Sequence, residues 1–346
     1  MKIDQLQNGA MIISFDGRSF IPVLVSKTGQ RRMPVVEIVT SLGRTACVNW
    51  DHQCLTSNGL VQANKLSTND SIAVPVSLPF FGNVAVPDYV AGFLGLWLAE
   101  GSSKATTPII TTKIYGIQVA NFANSFGCVA RNKERRNGKT PSYQMSHSSR
   151  GGVAKINPIQ AMLRLWELDN CTSATKHIPE QAFSWNRHSV ATLLHWLFNG
   201  DGWLCRRKQS DQRNYSFELG FVSKSYQLVN DVSHLLLRFG IVGRIRQRSR
   251  SNCWIWTTRR YEEISRFVSF IGIDREDAAL VPFHDPQKGK RVFGVVEYDP
   301  VVAISMRDNW QMFDIAASDL RNFVANDIIV YHPGCGHVID ASDAIV

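Results

Sequence analysis

The sequence predicts an α+β protein in which a duplicated unit of helices and strands lies between two segments that are rich in strands. Two apolar, helix-like segments end in the same way, on a carboxylate followed by glycine: FLGLWLAEG (residues 93–101) and LLHWLFNGDG (residues 193–202). A basic, strand-like segment follows each of them, and the flanking segments show the short alternating runs of β-strands. The chain has 346 residues, more than one hydrophobic core usually organises, so we expect two domains.

Composition sets only broad limits on function. No apolar run reaches the length of a membrane span, and residues 1–4 do not begin a signal peptide, so we expect a cytoplasmic protein without a membrane partner. The seven cysteines never occur in CxxC spacing, which favours a reducing compartment over a disulfide framework. The net charge of +9 indicates an anionic partner only if the cations cluster.

The cations do cluster, in two segments that share one pattern. SFGCVARNKERR (residues 125–136) and RFGIVGRIRQRS (residues 238–249) both contain Phe-Gly-x-Val-x-Arg-x-basic-x-Arg. Alternate residues of a strand share a face, so the cations recur every ~6.6–6.8 Å, close to the ~7 Å between phosphates of one DNA strand. A single copy could equally be a solvated edge strand, but two copies favour duplex DNA. The predicted contacts are Arg131, Lys133, Arg135 and Arg136 in the first half, and Arg206, Arg207, Arg244, Arg246 and Arg248 in the second.

The remaining elements of the two halves follow in the same order. The first half continues with a strand (residues 142–149) and a helix (residues 151–168). The second has a longer hairpin through residues 206–216, a helix that opens at Ser223 or Ser225, a strand in CWIWTTRR and a helix over residues 261–273. Each half therefore reads as helix, two strands, helix, two strands, helix, with halves at about residues 88–170 and 171–283.

The acids at the ends of the two apolar helices are the candidate catalytic groups. An acid followed by glycine is ordinarily just a helix terminus, because glycine favours the left-handed conformation found there. Here the pattern occurs twice, and two helices packed along a pseudo-twofold axis would bring Glu100 and Asp201 together. Gly92, Gly95 and Ala99 would allow the close approach. Paired carboxylates between two basic strands indicate divalent metals at scissile phosphates.

Over residues 88–283 the chain resembles the monomeric, two-motif LAGLIDADG homing endonucleases. TKHIPE (residues 175–180) and SKSYQLVNDVSHLLLRFGI (residues 223–241) are also similar to that family. The resemblance implies that Glu100 and Asp201 bind Mg²⁺ and activate water, that Lys176 assists, and that Lys113 or Lys224 supplies a second basic group. One departure is Trp196, which stands five residues before the acid where the first motif has Gly95.

The flanking segments, residues 1–87 and 284–332, read as one discontinuous all-β domain. Leu6 and Leu66 each precede a turn by three residues, and Ile12 and Ile72 each lie in the strand that follows. Residues 32–56 predict a hairpin through SLGR, and residues 293–306, 310–318 and 322–332 predict short strands separated by turns.

These flanks resemble the Hint domain of inteins, which implies a pseudo-twofold LAGLIDADG αββαββα domain inserted into a Hint domain, in a bacterial, archaeal or phage context. The matching splicing positions are His52, Asp314 and His332. The departures are Asn49 for a threonine, Arg321 for a histidine, Pro333 for the asparagine after His332, and Met1 at a point that the family reaches only after an upstream Cys or Ser nucleophile. Proline has no side-chain amide with which to resolve a branched intermediate.

The sequence therefore predicts an intein-derived DNA homing endonuclease that makes a Mg²⁺-dependent double-strand cut at a long, asymmetric site and has lost splicing. Two alternatives stay open: a splicing-competent intein, and a LAGLIDADG protein that binds nucleic acid without cutting it, as an intron maturase does. Residues 333–346 form a tail beyond the intein-like end.

Overall fold

A computed structural model of the chain describes residues 6–102, 107–133, 140–147, 157–208, 215–249, 251–281, 294–317, 320–331 and 339–340. The chain divides into two compact units, Met1–Leu78 with Gln287–Val346 (unit 1) and Pro79–Pro286 (unit 2). Unit 1 is built of strands and unit 2 of helices packed on strands, which confirms the predicted α+β class. None of the helices in the described part of the chain has the length and apolar content needed to span a bilayer.

The elements follow the predicted order along the chain. The first segment of unit 1 contains β1 (Met11–Phe15), β2 (Phe20–Thr40), β3 (Thr45–Asn49), β4 (Gln53–Thr56), β5 (Gly59–Gln62) and β6 (Ser71–Pro75). The first half of unit 2 contains α1 (Asp88–Glu100), β7 (Gly101–Ser102), β8 (Ile109–Thr111), α2 (Gly116–Ser125), β9 (Cys128–Lys133), β10 (Ser142–His147) and α3 (Pro158–Leu165). Its second half contains α4 (Arg187–Asp201), β11 (Gly202–Lys208), β12 (Tyr215–Ser223), α5 (Tyr226–Arg238), β13 (Arg244–Arg248), β14 (Cys253–Thr258) and α6 (Tyr261–Phe270). The second segment of unit 1 contains β15 (Val296–Ala317), β16 (Asn322–Ala325), β17 (Ile328–Tyr331) and β18 (Ile339–Asp340).

The two longest strands of unit 1, β2 and β15, form an antiparallel pair. They pair antiparallel from Val301↔Thr40 to Ala317↔Val25. The prediction of separate short strands over residues 293–318 is therefore wrong, because β15 continues through the turn signal Asp308-Asn309. At this point the pairing of β15 with β2 shows a register shift, between Arg307 and Trp310. The strand continues because pairing with β2 outweighs the local turn preference.

Other predictions for unit 1 are confirmed. Leu6, Ile12, Leu66 and Ile72 are all buried in its core. The hairpin through SLGR joins β2 and β3, which pair from Val35↔Asn49 to Val39↔Thr45. Gly43 in its turn has φ +81°, a conformation that glycine adopts without a steric penalty.

Unit 2 shows the predicted duplication, with the order helix, two strands, helix, two strands, helix in each half. The strands form two antiparallel sheets, ordered β7-β8-β10-β9 and β11-β12-β14-β13, so the basic strands β9 and β13 are both edge strands. One face of each sheet packs on helices: Phe198 of α4 contacts Phe221 of β12 and Trp256 of β14, with ring centroids 5.5 and 6.2 Å apart. The opposite face of the second sheet, here called its open face, carries the alternate residues.

Local capping fixes where two of the helices begin. The Ser225 hydroxyl accepts the Leu228 N–H at 3.1 Å, so α5 opens after Ser225, one of the two predicted positions. The Asn157 amide oxygen accepts the Ile159 N–H at 3.0 Å ahead of Pro158. Asparagine at the N-cap followed by proline is a strong helix start, so α3 begins at Pro158 rather than at residue 151. Residues 151–156 lie outside the described part.

Unit 2 starts earlier than the sequence indicated. The sequence placed the junctions at 87/88 and 283/284, whereas the compact units meet at 78/79 and 286/287. The Phe81 ring lies 4.9 Å from that of Phe239, and the Gly82 N–H donates to the Trp185 carbonyl at 3.1 Å. These contacts between distant parts of the chain attach residues 79–87 to unit 2.

The helices α1 and α4 meet along glycines. A Cβ atom on Gly95 would lie 2.2 Å from the Leu193 carbonyl oxygen, and one on Gly200 would lie 2.3 Å from Cβ of Ala99. The unexpected Trp196 fits because it lies over Gly92, where a Cβ would be 2.8 Å from its ring. The large side chain of Trp196 on α4 is thus accommodated because Gly92 on α1 has no side chain.

Candidate active site

The two candidate catalytic acids are the last residues of the paired helices. Glu100 ends α1 and Asp201 ends α4, and both are half-buried. A Cβ atom on Gly200 would lie 3.4 Å from Cγ of Glu100, so the end of α4 is in contact with the Glu100 side chain. The pairing of α1 with α4 therefore brings the two acidic helix ends to one place, as the sequence predicted.

The glycines after the acids serve packing rather than a left-handed turn. Gly101 and Gly202 have extended backbones, with φ of −85° and −96°. A Cβ atom on Gly101 would lie 2.4 Å from the Trp97 carbonyl oxygen, and one on Gly202 would lie 2.6 Å from the Phe198 carbonyl oxygen. The chain thus turns directly from each helix into a strand, so that any side chain after the acid would collide with the last helical turn.

Lys176 caps the end of α1 from the loop that precedes α4. Its ammonium group donates to the carbonyl oxygens of Leu98 at 2.8 Å, Gly101 at 2.9 Å and Trp97 at 3.1 Å. Carbonyl groups at a helix C-terminus lack partners and carry partial negative charge, so a cation is stabilising there. The ammonium group consequently lies beside the residue that carries the first acid.

The three groups form one electrostatic cluster. Burial raises the pKa of Asp201 to about 7, and the charge of Glu100 adds to the rise while Lys176 opposes it. Burial also raises the pKa of Glu100, again against the effect of Lys176. Burial lowers the pKa of Lys176 to about 8, although Asp201 and Glu100 both favour its charged form. Two acids and one cation that perturb one another in this way are typical of a functional site.

The loop that carries Lys176 is tied to helix α5. The Ser225 hydroxyl donates to the Lys176 carbonyl oxygen at 2.5 Å, and the buried Asp231 carboxylate accepts the Ile178 N–H at 2.9 Å. Gln227 donates to the other oxygen of Asp231 at 2.8 Å. The same serine that starts α5 therefore also fixes the position of the lysine.

Arg275 occupies the corresponding place in the second half and was missed by the sequence reasoning. Its Nη2 donates to the carbonyl oxygens of Asn199 at 3.0 Å and Gly202 at 3.3 Å, at the end of α4. Each capping cation is followed by a short 3₁₀ helix with similar letters, EQAFS at Glu180–Ser184 and EDAAL at Glu276–Leu280. That shared Glu-x-Ala pattern is the signal that could have identified Arg275.

The two candidates for a second basic group occupy equivalent positions. Lys113 lies between β8 and α2, and Lys224 lies between β12 and α5, each exposed in the strand-to-helix loop of its half. Among the described residues, neither lysine is in hydrogen-bond contact with the Glu100–Asp201–Lys176 cluster.

Most of the predicted DNA-contacting residues form two rows, one on β9 and one on β13, and the others lie on β11 or outside the described residues. Arg131 and Lys133 are exposed and alternate on β9, and Arg244, Arg246 and Arg248 are exposed and alternate on β13. Arg206 and Arg207 are neighbours on β11 and point to opposite faces. Only Arg207 shares the open face, because Arg206 has the same parity as the buried Leu204. Arg135 and Arg136 lie outside the described residues.

The donor set at the helix ends is compatible with Mg²⁺. The described residues contain no cluster of three or more His, Cys, Asp or Glu side chains. Mg²⁺ is commonly held by one or two carboxylates, with waters and substrate phosphates completing its octahedron. Glu100 and Asp201 supply two hard oxygen donors of that kind, so they fit the ion predicted from the sequence.

The splicing-type positions lie in unit 1. His52 is buried in the turn before β4, where its backbone N–H donates to the Asn49 carbonyl at 3.0 Å. Asp314 lies on β15 with its backbone opposite Gly29, and its side chain is outside the described part. His332 also lies outside the described residues. The structure therefore gives the surroundings of one of the three predicted splicing residues.

Comparison with known proteins gives a family-model match in the second half of unit 2. The family model for a LAGLIDADG-like domain matches residues 189–272. These residues are similar to a LAGLIDADG-like domain. They begin in α4, end just after α6 and include Asp201 and the basic strand β13.

Several curated proteins are similar to a larger part of the chain. The replicative DNA helicase DnaB of Rhodothermus marinus is 27% identical over 263 residues, covering 73% of this chain and 28% of the helicase. Protein RecA of Mycobacterium tuberculosis is 28% identical over 244 residues, covering 67% of this chain and 29% of RecA. The chain thus spans less than a third of the length of these relatives.

Two kinds of solved structure are also similar. I-DmoI in complex with DNA and Mn is 13% identical with a TM-score of 0.35, over 54% of this chain and 96% of that one. The Ssp DnaB mini-intein variant M86 is 12% identical with a TM-score of 0.29, over 95% of this chain and 80% of that one.

Proposed function

We propose that the chain is an intein-derived DNA endonuclease of the LAGLIDADG type, which acts as a monomer on a long asymmetric duplex and cuts both strands with Mg²⁺. The observation that carries the proposal is the cluster at the joined ends of α1 and α4, where Glu100, Asp201 and Lys176 perturb one another's pKa. The LAGLIDADG-like match over residues 189–272 supports it.

Glu100 and Asp201 would hold the metal, which when bound supplies stabilisation of the charge that develops on the phosphodiester. Asp201 has a pKa of about 7, so at neutral pH its proton is easily displaced when the site gains positive charge. The Lys176 ammonium favours the ionised form of both acids and fixes the end of α1 through four carbonyl groups. Its role in this mechanism is to keep the two carboxylates charged and in place.

The cations on β9 and β13 would supply affinity for the duplex. Each row presents guanidinium or ammonium groups at alternate positions of an edge strand. Contacts of this kind neutralise phosphates and carry little sequence information. Pairing one row with each half-site would give a long footprint, and the different sequences of the two halves would make it asymmetric.

Cleavage of a pooled plasmid library tests the proposal. We expect the full chain with Mg²⁺ to linearise a subset of plasmids, and Glu100→Gln or Asp201→Asn to abolish cutting while binding to the selected duplex is kept. The exposed Glu276→Gln is the matched control and should cut like the wild type. Binding without any cutting by the wild type would instead identify a non-cleaving nucleic-acid binder. Cutting by both acid variants would remove these acids from the mechanism.

We further propose that the chain is an inserted element that no longer splices. The match covers less than a third of DnaB and less than a third of RecA, as expected of an insert carried by differently named host proteins. Pro333 follows His332 where an asparagine would be needed, and Asn49 and Arg321 replace two further residues of the family pattern.

Expression of the chain between two affinity tags tests the loss of splicing. We expect intact fusion protein by mass spectrometry and no ligated tag–tag product, because no side-chain amide follows His332. Pro333→Asn restores only one of the altered positions and should leave the fusion intact as well. A ligated product from the unaltered chain would show that splicing survives.

A further inference from the structure

The open face of the second sheet contains a buried carboxylate between two arginines. Glu218 lies on β12, and only 5% of its side chain is exposed. Arg207 on β11 donates from Nη2 to Oε1 at 2.8 Å. Arg259, which follows β14, donates from Nε to Oε2 at 2.7 Å, and its Nη2 lies 2.6 Å from the same oxygen. Because β12 lies between β11 and β14, the acid is held from both neighbouring strands.

The surroundings of Glu218 make this cluster rigid. The Trp203 indole N–H donates to Oε1 at 3.4 Å. The Trp203 ring covers Gly220, where a Cβ atom would lie 2.2 Å from it. Trp203, Arg207, Glu218 and Gly220 all occupy the open face, so the carboxylate is covered by an indole ring and two guanidinium groups.

The arginines keep donors for another partner, although Arg207 also interacts with the Cys205 side chain. Their side chains are 54% and 63% exposed, in contrast to the buried acid that they share. A guanidinium group has five N–H donors, and Glu218 engages only one edge of each, which leaves both Nη1 amino groups free of that carboxylate. The cluster carries one net positive charge for two arginines, so it is a poorer phosphate site than the row on β13.

We propose that Glu218 holds Arg207 and Arg259 as a preassembled pair that reads guanine bases in one half of the duplex bound by unit 2. A guanidinium edge donating to O6 and N7 is the commonest specific contact to guanine in the major groove. Holding the side chain in place before binding removes the rotamer entropy that a flexible arginine would lose. This assignment rests on the proposed function, because it requires that the open face meets DNA.

The first sheet provides an internal contrast. Its described strands, β7 to β10, contain no Asp or Glu, so no acid of that sheet buttresses Arg131 or Lys133 among the described residues. We therefore place the preassembled guanine contacts in the half-site of the second sheet and expect Arg131 and Lys133 to act through charge.

Selection of bound duplexes from a random library, with the full chain in EDTA, tests the assignment. The wild type should enrich guanine at two positions of one half-site. Arg207→Lys and Arg259→Lys should each lose about tenfold to a hundredfold of the preference at one position, since a lysine cannot form the two-pronged contact. Glu218→Gln should flatten both preferences and strengthen binding to unrelated DNA, because it adds a net positive charge.

Arg248→Ala is the matched control on the same sheet and should weaken binding to all sequences without changing the preferences. Thermal unfolding confirms that each variant is folded. Guanine preferences that survive Glu218→Gln and both lysine variants would overturn the assignment and leave Glu218 with a structural role only. Failure of the wild type to enrich any duplex would overturn the proposed function as well.

Discussion

At the scale of single residues, the candidate site places like charges where water is scarce. Asp201 and Glu100 are both destabilised in their ionised forms by burial, and Lys176 compensates for only part of that effect. Sites arranged for catalysis commonly reduce the stability of the fold in this way.

Asp201→Asn is therefore expected to stabilise the metal-free protein at pH 8 by about 1–2 kcal/mol while it abolishes cleavage. The folded-state pKa of Asp201 is raised to about 7 from an ordinary 3.8, so the folded protein holds this proton more tightly than the unfolded chain. Wild-type stability from this group is present at low pH and is lost as the pH rises through about 4 to 7. Chemical denaturation in EDTA at several pH values measures the difference, which should grow from pH 4 to pH 7. A constant difference at all pH values would contradict the assignment.

The duplicated motif predicts that Glu100 and Asp201 lie together, and the family resemblance adds Lys176; the structure places the three groups in one cluster, and their catalytic roles stay a prediction. Arg275 was not predicted because it binds backbone carbonyl groups of Asn199 and Gly202. The Glu-x-Ala pattern that follows it is a weak signal, because Arg275 stands one residue before that pattern and Lys176 stands four residues before its own. The placement of Arg206 and Arg207 on opposite faces follows from strand parity alone and could have been predicted had the start of β11 been known.

At the scale of elements, the pairing of α1 with α4 determines where the acids lie. Gly95 and Gly200 remove side chains where each helix crosses the other, so the helix backbones themselves are in contact. The Asp88 carboxylate and the His188 ring link the N-terminal ends of the same two helices at 2.8 Å. The contact between α1 and α4, here called the seam, is thus held at both ends.

Gly95→Ala should destabilise unit 2 by about 1–3 kcal/mol, because the added methyl group overpacks the seam. It would lie 2.2 Å from the Leu193 carbonyl oxygen, which is backbone and cannot rotate away. The clash must outweigh the ~1 kcal/mol by which alanine normally improves a helix over glycine. Thermal unfolding measures the effect, and the exposed helical Ser269→Ala should leave stability unchanged. Equal stability of the Gly95 variant and the wild type would show that the seam is looser than described.

Element order was predictable from periodicity, but two boundaries were not. Helix α3 is shorter than its apolar pattern because Asn157 and Pro158 start it locally. Strand β15 is longer than its pattern because its partner β2 lies more than 250 positions away in the sequence, beyond the reach of any local rule. The turn from β16 to β17 uses Asn326 and Asp327, both at positive φ, which local sequence does indicate.

At the scale of the whole molecule, we expect the position of the cations, and not the net charge of +9 itself, to determine DNA binding. Removing Arg244, Arg246 and Arg248 together should make the slope of log K against log salt shallower by about 0.9 for each phosphate that the variant no longer neutralises. Fluorescence anisotropy with the selected duplex at several salt concentrations measures the slope. Alanine at Arg18, Lys65 and Arg164 removes the same charge from exposed positions elsewhere and should change it far less. Equal changes in the two triple variants would show that net charge, and not the β13 row, governs binding.

The sequence predicts domain junctions at 87/88 and 283/284 from a duplicated pattern of helices and strands between β-rich flanks, and the compact units divide the chain at 78/79 and 286/287. The predicted first junction at 87/88 follows from the family resemblance, which begins at about residue 88. The assignment of residues 79–87 to unit 2 depends on Phe81 meeting Phe239 and Gly82 meeting Trp185, contacts that exist only in the folded chain.

The glycine seam between α1 and α4 tolerates far fewer substitutions than the exposed strand surfaces do. The seam leaves no space for even one added methyl group at Gly95 or Gly200, whereas the exposed arginines of β13 can be exchanged without disturbing it. We expect a saturation library to be nearly empty at the seam and richly populated on the strands. If unit 2 binds DNA as proposed, a new duplex could then be targeted by substituting exposed strand residues while α1 and α4 stay unchanged.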